Sequence, residues 1–236
     1  MVSLCSHLAA RGIRAGVTCA LALLAWLPWS TRAEDAAEML DAWLRSQTTL
    51  VTWSAEFTQT RTLKTLTQPL VSRGRLWFAA PNQFRWELGD PAQTIALRNP
   101  AEMLVIYPRL KRAERYPLAG AGSGPMRDML ALLEAGFPRS RAELEAQFRL
   151  VRQEAVGELQ ELTLQPKAAA ARRMMPQFKL AFSPSDQGLR ATELQFSDGS
   201  TMRNDFTNAV RNPVLATNLF VPVLGADFTV TQPGGK

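Results

Sequence analysis

The side chains best suited to nucleophilic or metal chemistry all fall near the start of the chain: Cys5, His7 and Cys19 account for both cysteines and the one histidine. They lie in a stretch that reads as a cleavable secretory signal. Arg11 and Arg14 give it a positive start, an apolar run extends from Ala15 to Trp29, and Thr31-Arg32-Ala33 places small residues where a signal peptidase reads. The run falls short of the roughly 20 residues that a bilayer-spanning helix needs. Cys19 is not placed as an acylated lipobox cysteine, because the apolar run continues beyond it. Cleavage after Ala33 leaves a mature chain with neither cysteine nor histidine. That removes disulfides, thiolate nucleophiles, Ser-His triads and the usual zinc ligands together. Glu56, Glu87 and Asp205 remain as candidates for acid–base work, but no motif pairs them. The expectation is therefore a protein that is not an enzyme and that carries no cofactor and no metal.

The charge points the same way. Of 27 basic residues, Arg11, Arg14 and Arg32 leave with the signal, so 24 basic face 21 acidic residues in the mature chain. That balance is ordinary for a secreted domain and argues against nucleic acid as a partner. Residues 34–236 are enough for one β-rich domain with a sizeable core, and no internal repeat or second domain is evident.

The elements that must position any site follow from periodicity. Ala36, Leu40, Trp43 and Leu44 recur at helical spacing, predicting a helix over Glu34–Ser46. The period then becomes two. Val51, Trp53, Ala55 and Phe57 alternate with Thr52, Ser54, Glu56 and Thr58, the pattern of a strand with one dry and one wet face. Further strands are predicted at Arg73–Phe78, around Phe84, Trp86 and Leu88, at Ile95 and Leu97, and from Met103 to Tyr107, which Pro108-Arg109-Leu110-Lys111-Arg112 closes with charge. After the glycine-rich break at Gly120–Gly124, Met126, Met129, Leu130 and Leu133 have helical spacing. Ser140 with Glu143 has the form of a capping box. Strands resume at Phe148–Val151, Leu159–Leu164, Phe178–Phe182, Leu194–Phe196 and Met202–Phe206, with a hairpin signal at Asp198-Gly199. Ala168–Arg173 reads as a connection, and Leu219–Val223 and Phe228–Val230 as closing strands.

This is a long antiparallel meander with few helices. A sheet of that length must curl over its apolar face or pack it against something, and the helices are the other large apolar elements available to cover it. The expected fold is α+β and mainly antiparallel β: an unclosed, strongly curled barrel beneath amphipathic helices. Its interior would be apolar and would lack catalytic groups, which suits a lipid-binding pocket. Trp53, Phe57, Leu76, Phe84, Trp86 and Leu88 are its candidate lining from the strands. Met126, Met129, Leu130 and Leu133 are candidates from the mid-chain helix, where flexible methionine can repack around variable chains.

From Arg73 through Gly74-Arg75-Leu76-Trp77-Phe78-Ala79-Ala80-Pro81-Asn82-Gln83-Phe84-Arg85-Trp86 to Glu87, the sequence resembles the LolA family of periplasmic outer-membrane lipoprotein carriers. Phe57-Thr58-Gln59, Tyr107-Pro108, Leu162–Lys167 and Phe220-Val221-Pro222 with Gly225 extend the likeness over nearly the whole mature chain. The resemblance implies an unclosed barrel with a helical lid, acting as a monomer in the periplasm. Its cavity would take acyl chains from an inner-membrane ABC-type donor and pass them to an outer-membrane acceptor. A lipid- or lipoprotein-sensing module without transfer is the alternative. Phe84 matches the family's exposed aromatic at the cavity mouth, Trp86 its cavity tryptophan and Trp77 the tryptophan of the preceding strand. One position departs. The family's arginine before the proline, which bonds to the lid, is Ala80 here, with Arg75 and Arg85 as nearby substitutes.

Overall fold

A computed structural model describes residues 30–118 and 137–233. Their strands form a single 12-stranded sheet in the order β12-β6-β5-β4-β3-β2-β1-β11-β10-β9-β8-β7. The first arm is a hairpin meander of β1 (Thr52–Thr62), β2 (Leu70–Ala79), β3 (Gln83–Leu88), β4 (Thr94–Arg98), β5 (Glu102–Tyr107) and β6 (Arg112–Pro117). The second arm holds β7 (Phe148–Val156), β8 (Leu159–Pro166), β9 (Gln177–Phe182), β10 (Leu189–Gln195) and β11 (Thr201–Arg211), and β11 returns to pair with β1. The pairings are antiparallel except that of β12 (Thr229–Thr231), which adds to β6 in parallel. The sheet curls without closing, leaving β7 and β12 at its lateral rims.

Among the described residues, three α-helices accompany it. The first, α1 (Ser30–Gln47), contains the predicted Glu34–Ser46 and runs across the expected cleavage position. Its Leu40, Trp43 and Leu44 are buried in the main core, with the Trp43 ring stacked on Phe182 at 4.9 Å. In α2 (Arg141–Gln147), the Ser140 hydroxyl accepts the Glu143 N–H while the Glu143 carboxylate accepts the N–H of Arg139, so the cap read from sequence is formed. The stretch read as a plain connection contains α3 (Ala169–Met174), held by Ala171 packing inward. Alanine and arginine are strong helix formers, so the run folds locally where polar composition suggests a loop.

Two further corrections concern β4 to β6 and the C-terminus. Arg112–Pro117 is a strand although its charges read as the close of β5. Leu219–Val223 is not a strand but part of an irregular segment, 212–228, that returns across the outside of the first arm. Register explains what it covers. Phe84, Trp86 and Leu88 pair with Arg98, Ala96 and Thr94, so Ile95 and Leu97 point to the other face. There Leu97, Leu104, Ile106 and Ala113 are buried, and Ile95, Leu224 and Phe228 pack against the last three of these. The strand β4 thus buries its apolar residues on the outer face, while its inner residues Thr94, Ala96 and Arg98 are only partly covered.

Candidate functional site

The inner face of the sheet is built in rows fixed by register. Trp53, Phe78, Phe84, Arg98, Met103 and Tyr116 make one row across the first arm; Ala55, Leu76, Trp86, Ala96, Val105 and Glu114 make the next. Phe57 follows, opposite Gly74 and Phe206. A Cβ on Gly74 would collide with the Phe57 ring and the Glu87 carbonyl, so glycine is what lets that ring lie flat on β2 and reach Trp86, 4.2 Å away. Beyond Phe57 the apolar surface ends at a polar rung. The Gln59 amide donates to Asn204 Oδ1 at 3.0 Å, and Asn204 donates to Thr192 Oγ1 at 3.2 Å. Gln59 and Asn204 are buried, and this pairing offsets the cost of taking them out of water.

Of the candidate lining residues, Trp53, Phe57, Leu76 and Phe84 are fully buried, while Trp86 and Leu88 are only partly covered. Phe84 corrects an expectation: it is 5 % exposed and packed in the core, not an exposed aromatic at a mouth. Its register puts it beside Phe78, whose ring stacks on Phe137 at 4.4 Å with 8° between planes, and Phe137 also meets Trp53 edge-on. Met126, Met129, Leu130 and Leu133 lie outside the described residues.

The inner face is covered unevenly, and partly buried apolar residues remain on both arms, Leu150 and Leu194 of the second among them. Under α1, Leu162, Leu164, Phe178, Leu180 and Phe182 of the second arm are buried. On the first arm, Trp86, Leu88, Ala96 and Val105 remain half-exposed, an apolar strip next to a dry core. This strip ends in polar groups that sequence reading missed. Glu114 accepts from the Tyr116 hydroxyl at 2.8 Å and from the Arg112 guanidinium. Those two bonds, the tyrosine's foremost, hold the Glu114 carboxyl below its usual range. Burial, and then the bond to Glu114, pushes the Tyr116 hydroxyl up to about 12. Arg98 also faces inward, in register between Phe84 and Met103, and desolvation lowers its pKa. The signal for all four was parity: once Phe84 and Trp86 face in, their partners Arg98 and Ala96 must do so too, and Met103–Tyr116 and Val105–Glu114 carry that parity onward.

The same parity places Arg75 and Arg85 on the outer face, so neither takes the place of the arginine that Ala80 replaces. Arg85 binds Glu87 at 2.6 Å and the Leu219 carbonyl at 3.3 Å. The carboxylates considered for catalysis are also outside. Glu56 accepts from Asn208, Glu87 from Arg85 and Asp205 from Arg203, each tied to a neighbour on the face away from the apolar strip. Among the described residues no group of three potential ligands is placed to hold a metal ion.

Residues 48–223 match the family described as outer membrane lipoprotein carrier protein LolA. A comparison with curated proteins finds no match. Among solved structures, an uncharacterized conserved protein from Thermus thermophilus is similar at 12 % identity and a TM-score of 0.49, covering 84 % of this chain and 99 % of that one. A LolA superfamily protein from Nitrosomonas europaea is similar at 8 % identity and a TM-score of 0.39, covering 77 % and 97 %. The MucA/MucB complex of Pseudomonas aeruginosa is similar at 16 % identity and a TM-score of 0.43, covering 84 % of this chain and 63 % of that one.

Proposed function

The chain belongs to the LolA family of outer membrane lipoprotein carrier proteins, and from that premise we propose that it shields the acyl chains of a lipoprotein or related lipid against its inner face. It would do so in the periplasm, ferrying that cargo from an inner-membrane donor of the ABC type to an outer-membrane acceptor. The observation that carries this reading is the partly buried strip of Trp86, Leu88, Ala96 and Val105 beside the buried Trp53, Phe57, Leu76 and Phe84. A buried methylene contributes about 0.8 kcal/mol, so an acyl chain of about 16 carbons left in water costs on the order of 12 kcal/mol. A carrier must supply a continuous apolar surface of comparable extent. It must also release the cargo, which a strip only partly covered by its own chain favours over a close-packed core.

The strands behind the strip do not depend on it for cohesion. Leu97, Leu104, Ile106 and Ala113 bury the opposite side of β4 to β6. The arm can therefore keep its shape while its inner side exchanges contacts with the protein's own helices for contacts with lipid. Nothing in this chemistry needs a nucleophile or a metal, in keeping with a binding protein and not an enzyme.

The test begins with mass spectrometry of lipid extracted with the protein from the periplasmic fraction. Acylated peptide or diacyl lipid should co-purify with the native chain and fall at least tenfold in Trp86→Ala, whose fold should persist because Trp86 is only partly buried. Absence of lipid from the native chain, or equal lipid in the variant, would count against the assignment. Transfer between inner- and outer-membrane vesicles then separates a carrier from a sensor, which would bind cargo and keep it.

A further inference from the structure

The two ends of the sheet carry different charge. At one end lie the connections β2–β3 (80–82), β4–β5 (99–101), β7–β8 (157–158) and β9–β10 (183–188), and none contains a lysine or arginine. They carry instead Glu158 and Asp186. At the other end lie β1–β2 (63–69), β3–β4 (89–93), β5–β6 (108–111), β8–β9 (167–176) and β10–β11 (196–200). Here Lys64, Arg109, Lys111, Lys167, Arg172 and Arg173 are all exposed, against the acids Asp90 and Asp198. The basic residues come from three separate connections. Antiparallel register puts them at one end of the sheet, and direct contacts hold two of the connections, β1–β2 and β8–β9, to the β10–β11 turn: Lys64 packs over Gly199, and the Ser197 N–H donates to the Met174 carbonyl at 3.0 Å.

Each basic connection also presents a large apolar side chain to water: Leu66 on β1–β2, Leu110 on β5–β6 and Met174 on β8–β9. Leu110 is the extreme case. It is 70 % exposed, on a short 3₁₀ turn between Arg109 and Lys111. Single exposed leucines are common and need no explanation. Three such residues at the one cationic end, Leu110 between Arg109 and Lys111, Met174 next to Arg173 and Leu66 two residues from Lys64, follow the pattern of side chains that enter a lipid headgroup layer while nearby cations meet phosphate. The guanidinium of Arg172 donates to the Pro166 and Lys167 carbonyls, and Lys167 donates to the Glu145 carbonyl, so neither gives its charge to a carboxylate. Lys111 meets Asp227 at 3.2 Å in a solvent-exposed pair, and Lys64 lies near Asp198.

We propose that these turns form a docking surface for an anionic lipid bilayer, with Leu110 entering the headgroup layer and the flanking arginines and lysines against its phosphates. The surface is distinct from the inner face that holds cargo, and it gives the molecule a defined end with which to meet a membrane.

Flotation of the full chain with phosphatidylglycerol-containing vesicles and with pure phosphatidylcholine vesicles tests this. Binding should favour the anionic vesicles and weaken in about 1 M salt, where screening acts within about 3 Å. Replacing Arg109 and Lys111 by glutamine should each lower affinity about fivefold. Leu110→Ser should lower it about tenfold without loss of stability, since the side chain is exposed. Because the apolar N-terminal run is common to all variants, amide hydrogen exchange of the vesicle-bound protein is measured alongside, and turns 63–69 and 108–111 should gain protection. Equal binding to both vesicle types together with no protection at those turns would overturn the proposal. So would binding to soluble polyglutamate as strong as to vesicles and indifferent to Leu110→Ser, which would mark an acidic protein as the partner.

Discussion

The two arms of the sheet are dry on opposite sides. The second arm buries its inner face under α1, where Trp43 meets Phe182, and turns a ladder of charge outward. In that ladder Lys179 pairs with Glu161 at 2.8 Å, and Arg203 pairs with Asp205 at 2.8 Å and Glu193 at 3.6 Å. The first arm buries its outer face under the C-terminal segment and leaves part of its inner face wet. A strand needs one well-covered face to be stable. Which face that is decides what the other is free to do. The arm sealed from outside is the one able to hold something inside.

The largest test of that contrast lies in the sealed half. Trp43→Ala should cost about 3–5 kcal/mol in denaturant unfolding, because it removes a fully buried ring from between α1 and β9. The matching change in the open half, Trp86→Ala, should cost clearly less while removing most bound lipid; equal losses of stability would erase the distinction. Next in size is Phe228→Ala, expected to cost about 1–2 kcal/mol by loosening the C-terminal segment from β5 and β6. Faster amide exchange should follow in β4 to β6 and not in β8 to β10.

Smaller still is an alkaline effect confined to the first arm. The Tyr116 hydroxyl is pushed up to about 12, so the folded form keeps its proton where an unfolded tyrosine, near 10, has lost it. Its contribution is complete below about pH 10 and is lost as pH rises through about 12. Unfolding midpoints should fall across that window and fall less in Tyr116→Phe. Lys179→Met, in the outer ladder of the second arm, should shift stability by no more than about 1 kcal/mol, since the lysine is partly solvated.

Much of this arrangement can be read from periodicity, but only where one face is wet. Trp53, Ala55 and Phe57 alternate with polar residues, and so do Phe84, Trp86 and Leu88, and both sets do face inward. Alternation misleads where a strand is covered from outside or faces a wet interior. Ile95 and Leu97 look like inner residues but serve the outer core, because the covering segment lies more than a hundred residues away in sequence. In β6, Arg112, Glu114 and Tyr116 face the open strip, and without apolar alternation the sequence marks no strand there. Leu219–Val223 reads as a strand because apolar content alone does not distinguish a strand from a segment laid across one. Phe84 is buried where the family resemblance implies exposure, because Phe137, stacked on its hairpin neighbour Phe78, comes from a part of the chain remote in sequence.

The short pairing of Thr229–Thr231 with β6 has an effect beyond tidying the chain's tail. Open-edged sheets invite the backbones of sister molecules, and growth of that kind ends in fibres. By occupying one margin with three of its own residues, the polypeptide denies strangers a template there. At the opposite margin, charged Arg149, Arg152 and Glu154 on β7 make an incoming backbone give up their hydration first. A protein that leaves apolar side chains partly open on its inner face thereby guards its flanks against self-recruitment.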